Sequence, residues 1–143
     1  MKISIRNNQK KIRISRKLVN SVIKTAPAEE NADSEGELSI LFTGDQFIQK
    51  LNKKYRGIDS PTDVLAFPME DPRLLGDIVI SAERALAQAS DFNHPAEHEI
   101  AFLLVHGFLH LLGYSDKTKE KSNLMMKRAR AIISKLDLTG SVR

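Results

Sequence analysis

Residues 99–113 read EIAFLLVHGFLHLLG. Wound into a helix, this stretch is apolar on every side, and a helix apolar all round belongs at the centre of a core. Pro95 suits the first turn of such a helix, where its missing N–H would have no partner anyway. Gly113 stops it, because glycine lets the chain leave through a positive-φ conformation. The central helix is therefore expected from about Pro95 to Leu112.

Outward from that helix the chain reads as mixed α and β. Ile3 and Ile5 alternate with polar residues as in a half-buried strand, and Leu18, Val19, Val22 and Ile23 recur at helical spacing. ELSILFT (37–43) is an expected strand. Thr43, Gly44 and Asp45 can cap the helix after it, with Phe47, Ile48, Leu51 and Tyr55 on its buried face and Gly57 at its end. IDSP (58–61) reads as a turn, and VLAFP (64–68) and GDIVIS (76–81) as short strands joined by a polar connection. A helix is expected from about Ala82 to Ser90, and a last amphipathic one over about 117–136 with Leu124, Ala129, Ile132, Ile133 and Leu136 inward. Residues 26–36, APAEENADSEG, are the linker-like stretch. Repeats are absent, and 143 residues suit a single domain, 1–143, with one core.

Composition narrows the class. A hydrophobic fraction of 41% with 28% charged residues is that of an ordinary soluble globular chain. No run approaches the roughly 18 apolar residues of a membrane span, and no secretory leader opens the sequence. Cysteine is absent, so disulfides are excluded and any metal must take nitrogen and oxygen ligands; a reducing compartment is consistent with this. Residues 1–28 carry eight Lys or Arg and no acid, while the remainder has 14 basic and 18 acidic side chains. That N-terminal excess suits a polyanion such as nucleic acid, or is a solvated helix and strand edge. An organelle transit peptide is discounted, because the same residues carry strand and helix periodicity.

Within the central helix His106 and His110 are four apart, so both imidazoles share one face and can reach one ion. Asp116 follows Gly113 by three residues and could fold back as a third ligand. The pattern H-x-x-x-H-x-x-G-x-x-D has the helix, turn and spacing of the long zinc motif of metzincin proteases. Two imidazoles and a carboxylate, with a fourth position open, make a sensible catalytic zinc set. Set against this, core histidines can be satisfied by backbone carbonyls, with Asp116 capping the last helix. His94 and His98 are read as surface residues. Glu99 lies on the face of His106 and is either a supporting group behind the metal or a helix N-terminal charge.

Gly107 stands where such proteases place the Glu that serves as general base. Without it the reaction must lean on the metal, which can polarise a substrate oxygen. Phosphodiester hydrolysis fits, because cations stabilise its transition state. Arg56, in KKYRGIDSPTDVLAFP (53–68), could supply a guanidinium that matches phosphate bidentately. Its plain alternative is a basic residue favoured at a helix C-terminus.

The stretches LNKKYRGIDSPTDVLAFP (51–68), LGDIVIS (75–81) and HGFLHLLGY (106–114), in that order and spacing, resemble the YbeY family of bacterial endoribonucleases. The resemblance covers most of the chain from about residue 38. It implies an α+β fold with helices packed on a small mixed β-sheet, and a zinc-dependent nuclease specific for single-stranded RNA. It further implies action in maturation of the small-subunit ribosomal RNA 3′ end and in ribosome quality control, hence ribosomal RNA and the small subunit as partners and a cytoplasmic location. His106 and His110 match the family's first two metal ligands, and Arg56 its functional arginine.

The family usually reads G-Y-D-H after the helix, with the histidine as third ligand; here Gly113-Tyr114-Ser115-Asp116 follows. Aligned without a gap, Asp116 replaces that histidine, and its harder oxygen tilts preference toward ions such as Mn²⁺. Shifted by one residue, Asp116 is the family's own aspartate and the third ligand is missing. Ala66 stands where members commonly have Ser. The leading expectation is a metal-dependent endoribonuclease, with a non-catalytic RNA- or ribosome-binding assembly factor as the alternative. A hydrolase of other substrates, peptides included, is disfavoured by the missing Glu.

Overall fold

A computed structural model describes residues 1–32, 35–71, 73–136 and 138. The elements run β1 (Lys2–Asn7), α1 (Arg16–Glu29), β2 (Glu37–Thr43), α2 (Asp45–Arg56), β3 (Val64–Pro68), β4 (Leu74–Ser81), α3 (Ala82–Asp91), α4 (Ala96–Leu111) and α5 (Lys119–Ile133). The sheet order is β1-β2-β4-β3, with β1, β2 and β4 parallel and β3 antiparallel to β4. This is the expected α+β fold on a small mixed sheet.

α4 is the centre of the core. Ile100 through Val105, Phe108 and Leu109 are buried, and the helix touches α1, α3, α5, β3 and β4. One sheet face meets it through Leu38, Ile40, Phe42, Ile78 and Ile80, all 0–1% exposed. α1 contributes Val19, Val22 and Ile23 to the same core. The basic N-terminal stretch is thereby divided, with α1 packed against α4 and Lys2 and Arg6 on β1, an edge strand of the sheet. No helix among the described residues is long and apolar enough to cross a membrane.

Several details differ from expectation. Residues 26–29 are not linker but the last turn of α1, with Ala26 and Pro27 buried. Pro27 is tolerated near the end of the helix, where its missing N–H breaks only one bond and its ring adds apolar area. Pro95 is the N-cap of α4 and not its first turn. In α2, Ile48 and Asn52 are buried, while Phe47 and Tyr55 are 42% and 58% exposed, because this helix covers only part of the outer sheet face. Leu124 is also outward, at 52% exposed; the inward stripe of α5 is Met125, Ala129, Ile132 and Ile133, one helical step away. The N-cap of α2 is Gly44, which has no side chain to offer. Glu83 at the start of α3 takes over, accepting from the Asp45 N–H at 2.9 Å, while Asp45 accepts from the Ser81 hydroxyl at 2.6 Å.

Candidate metal centre

His106 and His110 sit one turn apart where α4 leaves the core. The residues between them are buried, but both histidines are only half-buried. Their Nε2 atoms are 3.1 Å apart. His110 Nδ1 lies 3.1 Å from the Tyr114 carbonyl oxygen. A carbonyl only accepts, so Nδ1 carries the hydrogen and donates, and in the neutral ring the lone pair is on Nε2. This is the tautomer a metal ligand needs, with its other nitrogen oriented by a hydrogen bond.

The turn after α4 brings the carboxylate back. Gly113 has φ 101°, and its N–H donates to the His110 carbonyl at 3.0 Å while that of Tyr114 donates to Leu109 at 3.0 Å. A side chain at that φ is strained, so glycine serves the reversal. Asp116 Oδ2 then lies 4.0 Å from His110 Nε2. One ligand atom from each of His106, His110 and Asp116 falls within 4.8 Å of the others, a candidate metal-binding group. A tetrahedral zinc with bonds of about 2.0–2.1 Å holds its ligands roughly 3.3 Å apart. The imidazoles are near that spacing, and the Asp116 side chain, 58% exposed, has room to move in. Asp116 does not cap the last helix; the Thr118 hydroxyl does, accepting from the Lys121 N–H at 3.1 Å.

Gly107 has a packing reason. A Cβ there would stand 2.9 Å from Ile78 Cγ2, so α4 lies too close to β4 for the glutamate of the protease motif.

The group lines a cleft of about 720 Å³, walled also by the end of α2, the segment before β3, β3 itself and the loop after α4. Arg56, the last residue of α2, is exposed and faces this cleft without an ion pair among the described residues. Thr62, Asp63 and Lys117, which the sequence by itself does not single out, line it too. Asp63 is held in the wall, accepting from the Val64 N–H at 2.7 Å and from Gln88 Nε2 at 3.2 Å. No spacing rule marks these three, because they meet the histidines only through the fold.

Behind the cleft, the loop is anchored. The Tyr114 hydroxyl donates to Glu30 Oε1, and Arg128 Nε donates to Glu30 Oε2 at 2.7 Å. Glu30, whose side chain is 5% exposed, thus joins α1, α5 and the loop whose Tyr114 carbonyl orients His110. The hydrogen bond to the Glu30 carboxylate pushes the Tyr114 hydroxyl above its ordinary value, and the same carboxylate raises Arg128. The sequence does not reveal this anchor, because Glu30 lies in a stretch with the composition of a linker.

His94 and His98 are not surface residues. His94 Nε2 donates to Glu99 Oε2 at 2.9 Å, with side chains 2% and 0% exposed, and His98 is 6% exposed. Neither joins the metal group. Glu99 is the buried partner of His94 at the start of α4.

The family described as endoribonuclease YbeY matches residues 3–137. Endoribonuclease YbeY of Caldanaerobacter subterraneus is 40% identical, with 96% of this chain and 99% of that protein covered. The protein of the same name from Moorella thermoacetica is also 40% identical over 96% of this chain and 99% of its own length. The solution structure of TM1509 from Thermotoga maritima superposes with a TM-score of 0.62 at 25% identity, covering 97% of this chain and 99% of that one. A match from β1 to past the end of α5, with relatives aligned over nearly their whole length, means that this chain belongs to the endoribonuclease YbeY family.

Proposed function

We propose that the chain works as one domain, residues 1–143, and is a metal-dependent endoribonuclease that cuts single-stranded RNA in the cleft beside the C-terminal end of α4. The observation that carries this reading is the convergence of His106, His110 and Asp116 on one point of a cleft that Arg56 also lines. In this reading the three residues hold one ion, Zn²⁺ in the first instance, with Mn²⁺ or another divalent metal admitted by the Asp116 oxygen. The bound ion would supply Lewis acidity toward a phosphate oxygen. Arg56 binds the scissile phosphate through its planar fork and offsets charge that grows in the transition state. The Tyr114 carbonyl keeps the His110 lone pair turned toward the cleft. The wider role, maturation of the small-subunit ribosomal RNA 3′ end and ribosome quality control in the cytoplasm, is drawn from the family resemblance.

The test is cleavage of a labelled single-stranded RNA by the purified chain. Cleavage should stop with chelator and return with zinc or manganese. Arg56→Ala should lose about 100-fold or more in rate with unchanged metal content, the scale of losing one donor to the transition state. Arg56→Lys should recover only part. Cleavage that survives complete metal removal, or that Arg56→Ala performs at the wild-type rate, overturns these assignments. Tight metal and RNA binding with no cleavage would favour the assembly-factor reading.

A further inference from the structure

The sheet face turned away from α4 is only half covered. Strand register sets Arg6, Leu41, Val79 and Leu65 in one row across the four strands and Ser4, Ser39, Asp77 and Phe67 in the next. α2 seats Ile48 and Leu51 on the first row. Beside the second lies a groove of about 310 Å³, and three of the protein's exposed large apolar residues, Phe47, Tyr55 and Met69, at 42%, 58% and 42%, gather along it. Isolated exposed apolar residues need no explanation, but several around one groove do.

Tyr55 and Phe67 line this groove and the metal cleft alike, so the two hollows share an aromatic wall. Their ring centroids are 5.2 Å apart with 61° between planes, edge against face. Tyr55 is 58% exposed, and Lys54 Nζ stands over its ring at 5.2 Å from the centroid, so the ring already takes a cation on one face. Arg6 lines the groove and Arg56 the cleft, so a guanidinium is found on each side of the aromatic pair. Asp77 lies along the groove and disfavours phosphate there, while it can accept from a base amino group.

We propose that Tyr55 and Phe67 form a nucleobase subsite, in which bases next to the scissile phosphate of single-stranded RNA stack while Arg6 and Arg56 bind the phosphates on either side. The proposal rests on the endoribonuclease reading and extends the substrate path from the cleft onto the open sheet face. An apolar peptide could use the aromatic rings, but it would leave the arginines without a role and would share a wall with the substrate cleft. Stacking is tolerant of sequence because every base has a π face, and it rejects duplex RNA, whose bases are already stacked. The aromatic pair therefore supplies a physical reason for single-strand preference.

The experiment measures binding of the full chain to three fluorescein-labelled 12-mers: oligoadenylate, an abasic ribose-phosphate oligomer and a duplex. Wild type should bind oligoadenylate about tenfold or more tightly than the abasic oligomer, the scale of one stacked base. Tyr55→Ala should weaken oligoadenylate binding about tenfold and leave abasic binding unchanged, so that the base-dependent gap collapses. Tyr55→Phe should keep the gap, and Leu124→Ala, an equally exposed residue on α5, serves as control. A gap that persists in both Tyr55→Ala and Phe67→Leu overturns the subsite, as does binding equal for oligoadenylate and abasic RNA in the wild type. A concentration-dependent dimer abolished by Tyr55→Ala, with no base dependence, would assign the groove to a second copy instead. Failure of the nuclease reading is distinguishable: the wild type would then cut no RNA whatever its base dependence of binding.

Discussion

Two histidine pairs, each spaced by four, bracket α4. At its start are His94 and His98; at its end are His106 and His110. His94 gives its Nε2–H to a carboxylate that is fully buried, and the pair is sealed in the core. His110 gives its Nδ1–H to a backbone carbonyl, and its Nε2 faces a cleft that Asp116 also lines. Spacing therefore does not distinguish the pairs. What distinguishes them is which nitrogen the protein occupies, whether solvent reaches the other, and whether the chain returns a third donor.

The comparison breaks most sharply under deletion of a ring at each end. His110→Ala should weaken Zn²⁺ binding by at least about 100-fold, beyond the loss from removing a partner behind a ligand, whereas His94→Ala should leave it within about twofold. Titration calorimetry on both variants decides, and equal affinities in the two would erase the distinction.

The third donor comes next. Asp116→Ala should weaken metal binding on the order of tenfold. Asp116→His should raise the ratio of zinc to manganese affinity, because an imidazole nitrogen is softer than a carboxylate oxygen. If neither substitution alters affinity or preference, Asp116 is not a ligand and the one-residue-shifted alignment is the better one.

At the buried end, His94→Ala should lower folding stability by about 1–3 kcal/mol, because it strips a hydrogen-bond partner from a buried carboxylate. Denaturant melts measure this, and a loss of metal affinity without a stability change would reverse the roles of the two ends.

The smallest effect sharpens the open end. Tyr114→Phe detaches the loop from Glu30 and should weaken metal binding only a few-fold, since the Tyr114 carbonyl stays in place. It also has a pH signature. The Tyr114 hydroxyl is raised in the folded state, so its stabilising bond to Glu30 is fully present below its unfolded value of about 10 and is lost as pH rises through the folded value. Wild type should therefore lose more stability than Tyr114→Phe as pH rises above about 10. Parallel pH curves would show that the anchor contributes nothing.

Which parts were legible in the sequence follows from how local each feature is. The all-round apolarity of residues 99–113 determined that α4 is central, and its spacing with Gly113 determined that two imidazoles share a face before a chain reversal. The strands 37–43 and 64–68 were legible from short-range pattern for the same reason. Tertiary structure alone decided that Glu30, 84 residues before Tyr114, anchors the loop. It alone decided that Thr62, Asp63 and Lys117 share the cleft, that His94 is sealed by Glu99, and that Phe47 and Tyr55 stay exposed where periodicity put them inside. Periodicity reports which face of an element is apolar; how much of that face is covered depends on which distant elements arrive there, and that information is not local in the chain.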